Sequence, residues 1–188
     1  MSLDLSQCSD RELAALASPG RDDIYRELLA RYKAPVFRLI RHYVGDADEA
    51  MDLSQESFVA AFAAIDRYDG ERSFRIWVSH IALNKCRDWA RRRAVRSFFT
   101  RAVPLENASD VAADRPAPDV EASDRAELVR VQKAMAGLPH NLREVLILRG
   151  VEDLSQAETA KLLKVSEKTV ETRLYRARAK LRAMLDEK

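Results

Sequence analysis

The chain has few of the residues that build disulfide scaffolds, metal sites, turns and membrane spans. Its 188 residues include only two cysteines and three histidines, too few for a disulfide scaffold and without the spacing of a zinc site. Only five glycines and six prolines occur, and no apolar run reaches the roughly 20 residues that cross a bilayer. We therefore expect an all-α, metal-free and cofactor-free protein that works in the cytoplasm without inserting into a membrane.

An overall excess of one charge is also absent, since 32 basic and 30 acidic side chains leave a net charge of +2. The charge is instead segregated along the chain. Residues 84–101 contain seven basic side chains and one acidic one, whereas residues 102–124 contain six acidic and one basic. The acidic stretch holds three prolines and no helical apolar pattern, which is typical of a flexible linker; a long surface loop is the alternative.

Apolar residues on both sides of this stretch recur at helical spacing, and no segment alternates as a strand does. The capping boxes that begin at Ser9 and Ser155, together with Asp46, predict three helix starts. Pro35 predicts a kink or a break near Lys33. After a short first helix, the predicted helices span about residues 21–43, 46–65, 74–93, 123–136, 139–149, 156–163 and 167–185. The fold class is two small helical domains, residues 1–99 and 123–188, joined by a flexible acidic linker, residues 100–122.

The last two predicted helices have the length and the short turn of a DNA-binding helix-turn-helix. The final helix carries several basic side chains outside its apolar stripe, a pattern that suits the major groove of DNA. A solvated basic helix in an antiparallel pair is the alternative. The residues expected to pack inside this motif are Ala157, Ala160, Leu162, Leu163, Val165, Val170, Leu174, Ala177 and Leu181.

Two parts of the chain resemble one family. Residues 138–185, and the segment "TVETRLYRARAKL" within them, resemble region 4 of bacterial RNA polymerase sigma factors of the extracytoplasmic-function (ECF) group. Residues 25–93 resemble region 2 of the same group. The resemblance implies a protein that binds core RNA polymerase and promoter DNA. It also implies control by an anti-sigma factor, often membrane-anchored, that can hold the protein near the inner membrane and release it under stress.

Two other functions are alternatives to this one. A helix-turn-helix regulator that acts without core polymerase would need a sensor module, and the first half shows no strand that could carry a phosphoacceptor. An enzyme would need a phosphate-binding loop, a nucleophile with its base, or a metal cluster. The sequence has none of these motifs, so we expect no catalytic residues.

The segment "MDLSQESFVAAF" resembles the helix with which sigma factors grip the largest polymerase subunit. Polar residues at helical spacing give this helix one exposed face that suits a partner with matching arginines, while Leu53, Phe58 and Phe62 are expected in the core. A merely solvated acidic face is the alternative. The predicted polymerase-binding residues are Glu49, Asp52, Gln55 and Glu56.

The next loop and helix resemble the element that captures the non-template strand at the downstream promoter hexamer. Strand opening requires a pocket for an unstacked base, a side chain that stacks and cations along the backbone. Phe74, Trp77, Ile81 and Trp89 are expected mainly in the core. The predicted downstream-promoter contacts are Tyr68, Asp69, Gly70, Glu71, Arg72, Ser73, His80, Asn84, Lys85, Arg87 and Arg91.

The final helix is expected to read the upstream promoter hexamer. Glu171 departs from the family pattern, in which a basic residue is frequent at this position. Because a carboxylate can accept a hydrogen bond from cytosine, we expect a somewhat different hexamer preference. The predicted upstream-promoter contacts are Lys168, Glu171, Thr172, Arg173, Tyr175 and Arg176.

Overall fold

The computed structural model describes residues 4–17, 21–102 and 119–186; of residues 97–102 and 119–125 it describes the backbone alone. In these ranges all regular structure is helical, which confirms the all-α prediction. None of the described helices is both long and apolar enough to cross a bilayer. A short 3-10 helix, Leu5–Gln7, precedes α1. The α-helices are α1 Asp10–Leu16, α2 Asp22–Val44, α3 Ala47–Ala63, α4 Phe74–Ala102, α5 Asp119–Gly137, α6 His140–Gly150, α7 Gln156–Leu163 and α8 Glu167–Asp186.

The three predicted capping residues lie at the starts of α1, α3 and α7, as expected. Ser9 and Glu12 form a complete capping box at α1, and Ser155 and Glu158 form another at α7. In each box the hydrogen bond from the serine side chain holds the pKa of the glutamate below its usual value. Asp46 accepts hydrogen bonds from two backbone amides at the start of α3.

Pro35 does not break α2, so of the two predicted effects near Lys33, a kink or a break, the break does not occur. The helix is continuous from Asp22 to Val44, although Pro35 has no amide proton to donate to the carbonyl of Arg31. Leu28 before the proline and Ile40 after it are both fully buried, so packing on each side stabilises a helix that lacks one hydrogen bond. The helix ends at Gly45, whose positive φ of 84° favours glycine.

The helices next to the acidic stretch are longer than predicted. The helix α4 continues to Ala102 rather than ending near residue 93, and α5 begins at Asp119 rather than near residue 123. Helix therefore covers both ends of the linker predicted at residues 100–122, and residues 103–118 of it lie outside the described ranges. The predicted third helix also ends earlier, at Ala63, and a 3-10 turn, Ile65–Arg67, follows it.

The two halves of the chain pack against each other and share one apolar core. This core runs from Leu13 in α1, through α2, α3 and α4, to Ala177 in α8. The helix α2 contacts α5 and α6, and α4 contacts α7. The helix-turn-helix has a second, smaller cluster of Val145, Ala160 and Val170. The sequence predicted separate modules and did not reveal this contact, because partners in different domains leave no local pattern.

Candidate functional site

The exposed side of α3 carries most of the polar side chains predicted to bind polymerase. Asp52, Gln55 and Glu56 all lie in solvent within about one helical turn. Glu56 accepts a hydrogen bond from Lys85 of α4 at 3.3 Å. Glu49 differs, since it is only partly exposed and its Oε2 accepts a hydrogen bond from the indole of Trp89 at 2.8 Å. Glu49 therefore fastens α3 to α4 as well as lying beside the predicted face.

An apolar groove adjoins these polar residues, and the sequence did not reveal it. Met51 is 50% exposed and Val59 is 70% exposed, although both fit the apolar pattern of a core-facing helix. Leu53 and Phe58 are buried as predicted, and Phe62 is partly buried. The exposed side of α3 thus combines acidic and apolar groups, as protein interfaces do. The groove between α2 and α3 is lined by Leu29, Lys33, Ala34, Phe37, Met51, Ser54, Gln55, Phe58, Val59 and Phe62.

The loop at residues 68–73, predicted to capture DNA, is closed by its own hydrogen bonds. The hydroxyl of Tyr68 donates to the carbonyl of Arg72, and the amide of Glu71 donates to Asp69 at 3.1 Å. Asp69 also pairs with the Arg72 side chain at 3.0 Å. Asp69, Glu71, Arg72 and Ser73 are exposed, whereas Tyr68 is half-buried. Burial raises the pKa of the Tyr68 phenol above its ordinary value.

An aromatic cluster lies directly beneath this loop. The ring of Tyr68 lies 5.2 Å from that of Phe74 and 5.3 Å from that of Trp77. Phe74 and Trp89 are buried, and Trp77 and Ile81 pack partly buried against the same core, which confirms their predicted core roles. This packing fixes the floor of the loop and leaves only part of the Tyr68 ring for stacking.

Three of the five predicted contacts on α4 form a chain of hydrogen bonds. His80 Nδ1 lies 3.4 Å from the amide nitrogen of Asn84, and the amide oxygen of Asn84 accepts from Arg87 at 3.1 Å. Asn84 is exposed, and exposed Arg91 pairs with Asp88. Arg87 is only partly exposed, and Glu144 of α6 accepts two of its hydrogen bonds at 2.6 and 2.8 Å. The α4 surface is therefore partly covered by the C-terminal half of the chain.

The turn at residues 164–166 holds α7 and α8 in a fixed relation. Lys164 adopts the left-handed conformation, with φ 54° and ψ 46°, and its amide bonds to the carbonyl of Ala160. The Gln156 side chain of α7 donates to the carbonyl of Glu167 at 3.1 Å. Ser166 accepts a hydrogen bond from the amide of Thr169 and so caps α8. These bonds present the first turns of α8 at the surface, as DNA reading by a helix-turn-helix requires.

One face of α8 is buried, as predicted. Val170 and Ala177 are buried, and Leu174 and Leu181 pack partly buried against the core. In α7, however, Ala157 is exposed and Thr159 is fully buried, so the predicted inward position of Ala157 is wrong. The capping box sets the phase of this short helix and turns Ala157 outward.

The opposite face of α8 brings together the predicted upstream contacts. Tyr175 is 76% exposed, and Lys168 pairs with Glu171 at 3.0 Å in an exposed ion pair. The Thr172 hydroxyl donates to the carbonyl of Lys168 at 2.9 Å, which occupies its proton but leaves its lone pairs. Arg173 is only partly exposed, whereas Arg176 is exposed. Acceptors, donors and an aromatic ring therefore lie together along two turns.

Comparison with known families identifies the chain. The family described as Sigma-70 region 2 matches residues 28–96, and that described as Sigma-70, region 4 matches residues 128–181. RNA polymerase sigma factor CnrH of Cupriavidus metallidurans is 40% identical over 181 residues, which cover 95% of each chain. The chain belongs to the RNA polymerase sigma factors. The ECF RNA polymerase sigma factor SigW of Bacillus subtilis is 30% identical over 171 residues, 88% of this chain and 91% of SigW.

Solved sigma factors share the fold. The structure of CnrH in complex with the cytosolic domain of CnrY aligns with a TM-score of 0.69 and 34% identity, covering 94% of this sigma factor and 97% of CnrH. The sigma factor RpoE, in its complex with the anti-sigma factor NepR from Bartonella quintana, aligns with a TM-score of 0.66 and 22% identity. The alignment covers 87% of this sigma factor and 97% of the RpoE chain. As a member of the ECF group, the chain binds core RNA polymerase and directs promoter-specific transcription initiation.

Two buried carboxylates of region 4 bind arginines of region 2. Glu144, only 3% exposed, accepts the hydrogen bonds of Arg87, and this pairing raises the pKa of Arg87. Glu152, also 3% exposed, accepts from Arg75 at 2.9 Å and lies 3.8 Å from Arg38. Since a buried carboxylate without a partner is costly, these pairs hold the two regions in a defined orientation.

A third arginine closes the same interface from the side of region 4. Arg143 donates to the backbone carbonyl of Tyr43 at 2.9 Å, and its guanidinium lies 5.0 Å from the Tyr43 ring centroid. It also donates to the carbonyls of Ala136 and Leu138. Burial lowers the pKa of Arg143 and raises that of Tyr43 to about 12. The sequence did not reveal the contact of Arg143 with Tyr43, because the two residues are 100 positions apart.

Proposed function

We propose that this sigma factor docks on core polymerase with the exposed side of α3. The face formed by Asp52, Gln55 and Glu56 offers acceptors to cationic side chains, and the adjoining groove offers apolar area around Met51 and Val59. The exposed pair of Glu56 with Lys85 is weak enough to exchange partners, since such pairs contribute at most about 1 kcal/mol. Glu49 takes part from the edge of this face while it remains bonded to Trp89.

We propose that the loop at residues 68–73 and the outer side of α4 capture the downstream promoter hexamer. The loop stands on an aromatic floor, carries exposed polar groups and lies next to a helix rich in arginine. Asn84 can offer both a donor and an acceptor to a flipped base, and Arg91 supplies a phosphate contact. Arg87 joins this set when it leaves Glu144.

The upstream hexamer is assigned to the exposed face of α8. Glu171, Thr172, Tyr175 and Arg176 lie within two turns, which matches the few side chains that a recognition helix places in the major groove. Lys168 pairs with Glu171 and would have to release it for a base contact. Arg173, being partly buried, suits a phosphate contact better than a base contact.

We infer that the two regions separate, or rotate, when polymerase binds. The proposed domains are residues 1–99 and 123–188, and residues 100–122 connect them. Support comes from Arg87, whose Nε and Nη2 both donate to Glu144, so this edge of the guanidinium binds a phosphate only after the pair has opened. The packed arrangement therefore suits the protein before it meets polymerase, and binding energy from polymerase and promoter would offset the loss of the contact between the regions.

We propose that an anti-sigma factor controls this protein in the cytoplasm and can hold it near the inner membrane. The similar sigma factor CnrH has been solved in complex with the cytosolic domain of another protein, CnrY. The exposed apolar groove beside α3 gives such a partner a surface that it would share with polymerase. We propose no chemistry for the chain itself, because docking and DNA binding account for the polar clusters described above.

Run-off transcription tests this function directly. Core polymerase alone should give no specific transcript from a promoter library, and addition of this chain should give transcripts that start at defined positions. Failure to support initiation on any library member would contradict the proposal and favour a helix-turn-helix regulator that acts without core polymerase.

A further inference from the structure

The segment before region 2 contacts the loop proposed to open DNA. Residues 4–17 precede the part of the chain that matches region 2, which begins at residue 28. Within this segment, Leu13 is fully buried in the main core. Arg11, two positions earlier, points the other way and reaches the loop at residues 68–73. The N-terminal segment is thus joined to both the core and the loop.

The attachment to the core is dense in hydrogen bonds. Arg31 of α2 donates to the carbonyls of Leu5, Ser6 and Cys8 at 2.9, 3.1 and 2.8 Å and to the carboxylate of Asp10 at 3.2 Å. The hydroxyl of Tyr32 donates to the other oxygen of Asp10. Since one guanidinium satisfies three backbone carbonyls, the start of α1 has a fixed position on α2.

The attachment to the loop involves both halves of the Arg11 side chain. Its guanidinium pairs with Glu71. Its aliphatic stem covers Gly70 so closely that a Cβ at Gly70 would lie 2.7 Å from Cγ of Arg11 and 3.3 Å from Cδ. A side chain at position 70 would therefore displace the stem of Arg11 from this place on the loop.

The aromatic floor links the two attachments. Tyr32, which holds Asp10, has its ring 5.1 Å from that of Phe74, and Phe74 lies beneath Tyr68 of the loop. Asp10 and Arg11 are adjacent in α1, so one residue grips α2 and the next grips the loop. A shift of α1 would move both contacts together.

We propose that α1 positions the strand-capturing loop, with Arg11 as the positioning residue. This inference rests on the proposed function of the loop at residues 68–73. Arg11 holds Glu71 and covers Gly70, and so keeps the loop in the closed form in which Asp69, Arg72 and Ser73 face solvent together. The N-terminal segment is then part of the promoter-opening apparatus, although it lies outside both matched regions.

A charge exchange distinguishes positioning from a direct DNA contact. Holoenzymes reconstituted with wild type, Arg11→Glu, Glu71→Arg and the double variant would be compared by fluorescence of 2-aminopurine in the non-template strand of a selected promoter. Arg11→Glu should slow opening by about three- to fivefold, the range of an exposed ion pair, and leave thermal unfolding and polymerase affinity unchanged. The double variant should return to within about twofold of wild type, because the exchange restores the pair.

Two controls complete the design. Arg26→Glu reverses an exposed cation on α2 and should leave the opening rate unchanged, which excludes a general charge effect. Asn84→Ala, at the proposed DNA-binding side of α4, should slow opening independently of α1.

Each other outcome has one meaning. A normal rate for Arg11→Glu together with a slow Asn84→Ala would overturn the positioning role and leave the loop's function standing. A slow Arg11→Glu that the exchange does not restore would show that the opening rate does not depend on the pair of Arg11 with Glu71, and would overturn the proposal. Normal opening rates for both Arg11→Glu and Asn84→Ala would contradict the proposed function of the loop and α4, and would overturn the inference that rests on it.

Discussion

Glu171 and Arg176 of α8 differ in what each can offer to a base pair. A carboxylate accepts from the amino group of cytosine, whereas a guanidinium donates two hydrogen bonds to guanine. Both side chains lie on the exposed face of α8, and Glu171 pairs with Lys168 in the absence of DNA. Each is therefore expected to influence the preferred base at one position of the upstream hexamer.

Arg176→Ala should weaken binding of the holoenzyme to its preferred promoter by about 1–3 kcal/mol and relax selectivity at one base. Arg182→Ala, an exposed change near the end of α8, should weaken binding evenly among sequences and flatten its salt dependence if that side chain binds phosphate. Titration of promoter duplexes at several salt concentrations measures both effects. Equal selectivity for Arg176→Ala and wild type would contradict a base contact by Arg176.

Lys164 provides a stability test at the turn of the helix-turn-helix. Its φ of 54° and ψ of 46° place it in the left-handed region, where a side chain costs roughly 1 kcal/mol and glycine does not. Lys164→Gly should therefore raise the free energy of unfolding by up to about 1 kcal/mol in denaturant titrations. The matched change Lys161→Gly, within α7, should lower it by about 1 kcal/mol. Destabilisation by both changes would show that the Lys164 side chain makes contacts that outweigh the backbone cost.

At the scale of helices, α3 uses one face for the stability of the fold and the other for binding. Leu53 and Phe58 are buried, whereas Gln55 and Glu56 are exposed. The helix can therefore lose its polar groups without losing its core contacts. Met51 and Val59 complicate this separation, because they are apolar and yet lie on the exposed side.

Replacing Gln55 and Glu56 together by alanine should weaken binding to core polymerase while helicity and thermal unfolding stay nearly unchanged, because exposed helix positions shift stability little. The loss of the exposed pair with Lys85 should cost at most about 1 kcal/mol. Affinity for immobilised core polymerase and circular dichroism are the two measurements. A variant that unfolds, or that binds polymerase normally, would count against the docking role.

Local patterns predicted the elements of this fold well and their long-range partners poorly. The boxes at Ser9 and Ser155 fixed two helix starts, because a cap depends only on residues three positions apart. Pro35 did not break the helix as its sequence position allowed, since burial on both sides of it outweighs one lost hydrogen bond. The candidate surfaces on α3 and α8 were predictable from periodicity and family resemblance, whereas the pairing of Glu49 with Trp89 depends on tertiary packing.

For the whole molecule, the contact between regions 2 and 4 is the feature that the sequence did not predict. Arg87 and Glu144 are separated by 57 positions, and Arg75 and Glu152 by 77, so no local spacing relates them. The interface is polar and arginine-rich rather than purely apolar. Such an interface resembles those of transient complexes, which suits two regions that must reorient.

The variant Glu144→Gln with Glu152→Gln should loosen this interface. Each change removes a buried negative charge that faces an arginine. The free energy that holds the two regions together should therefore fall by about 1–3 kcal/mol per site. Small-angle scattering should show a larger radius of gyration for the double variant, while the helix content stays that of wild type. Glu56→Gln, which weakens an ion pair within region 2, is the matched control and should leave the radius unchanged. An unaltered radius in the double variant would mean that the charges of Glu144 and Glu152 are not needed to hold the regions together.

The central claim is that α8 reads the upstream hexamer while the loop at residues 68–73 and α4 read the downstream one. A promoter-library selection with reconstituted holoenzyme tests both halves in one experiment. Wild type should return two hexamers; Glu171→Arg and Arg176→Ala should change only the upstream hexamer, and Asn84→Ala only the downstream one. If all four proteins return the same pair of hexamers, or if no library member supports initiation, these surfaces do not read the promoter and the account is wrong.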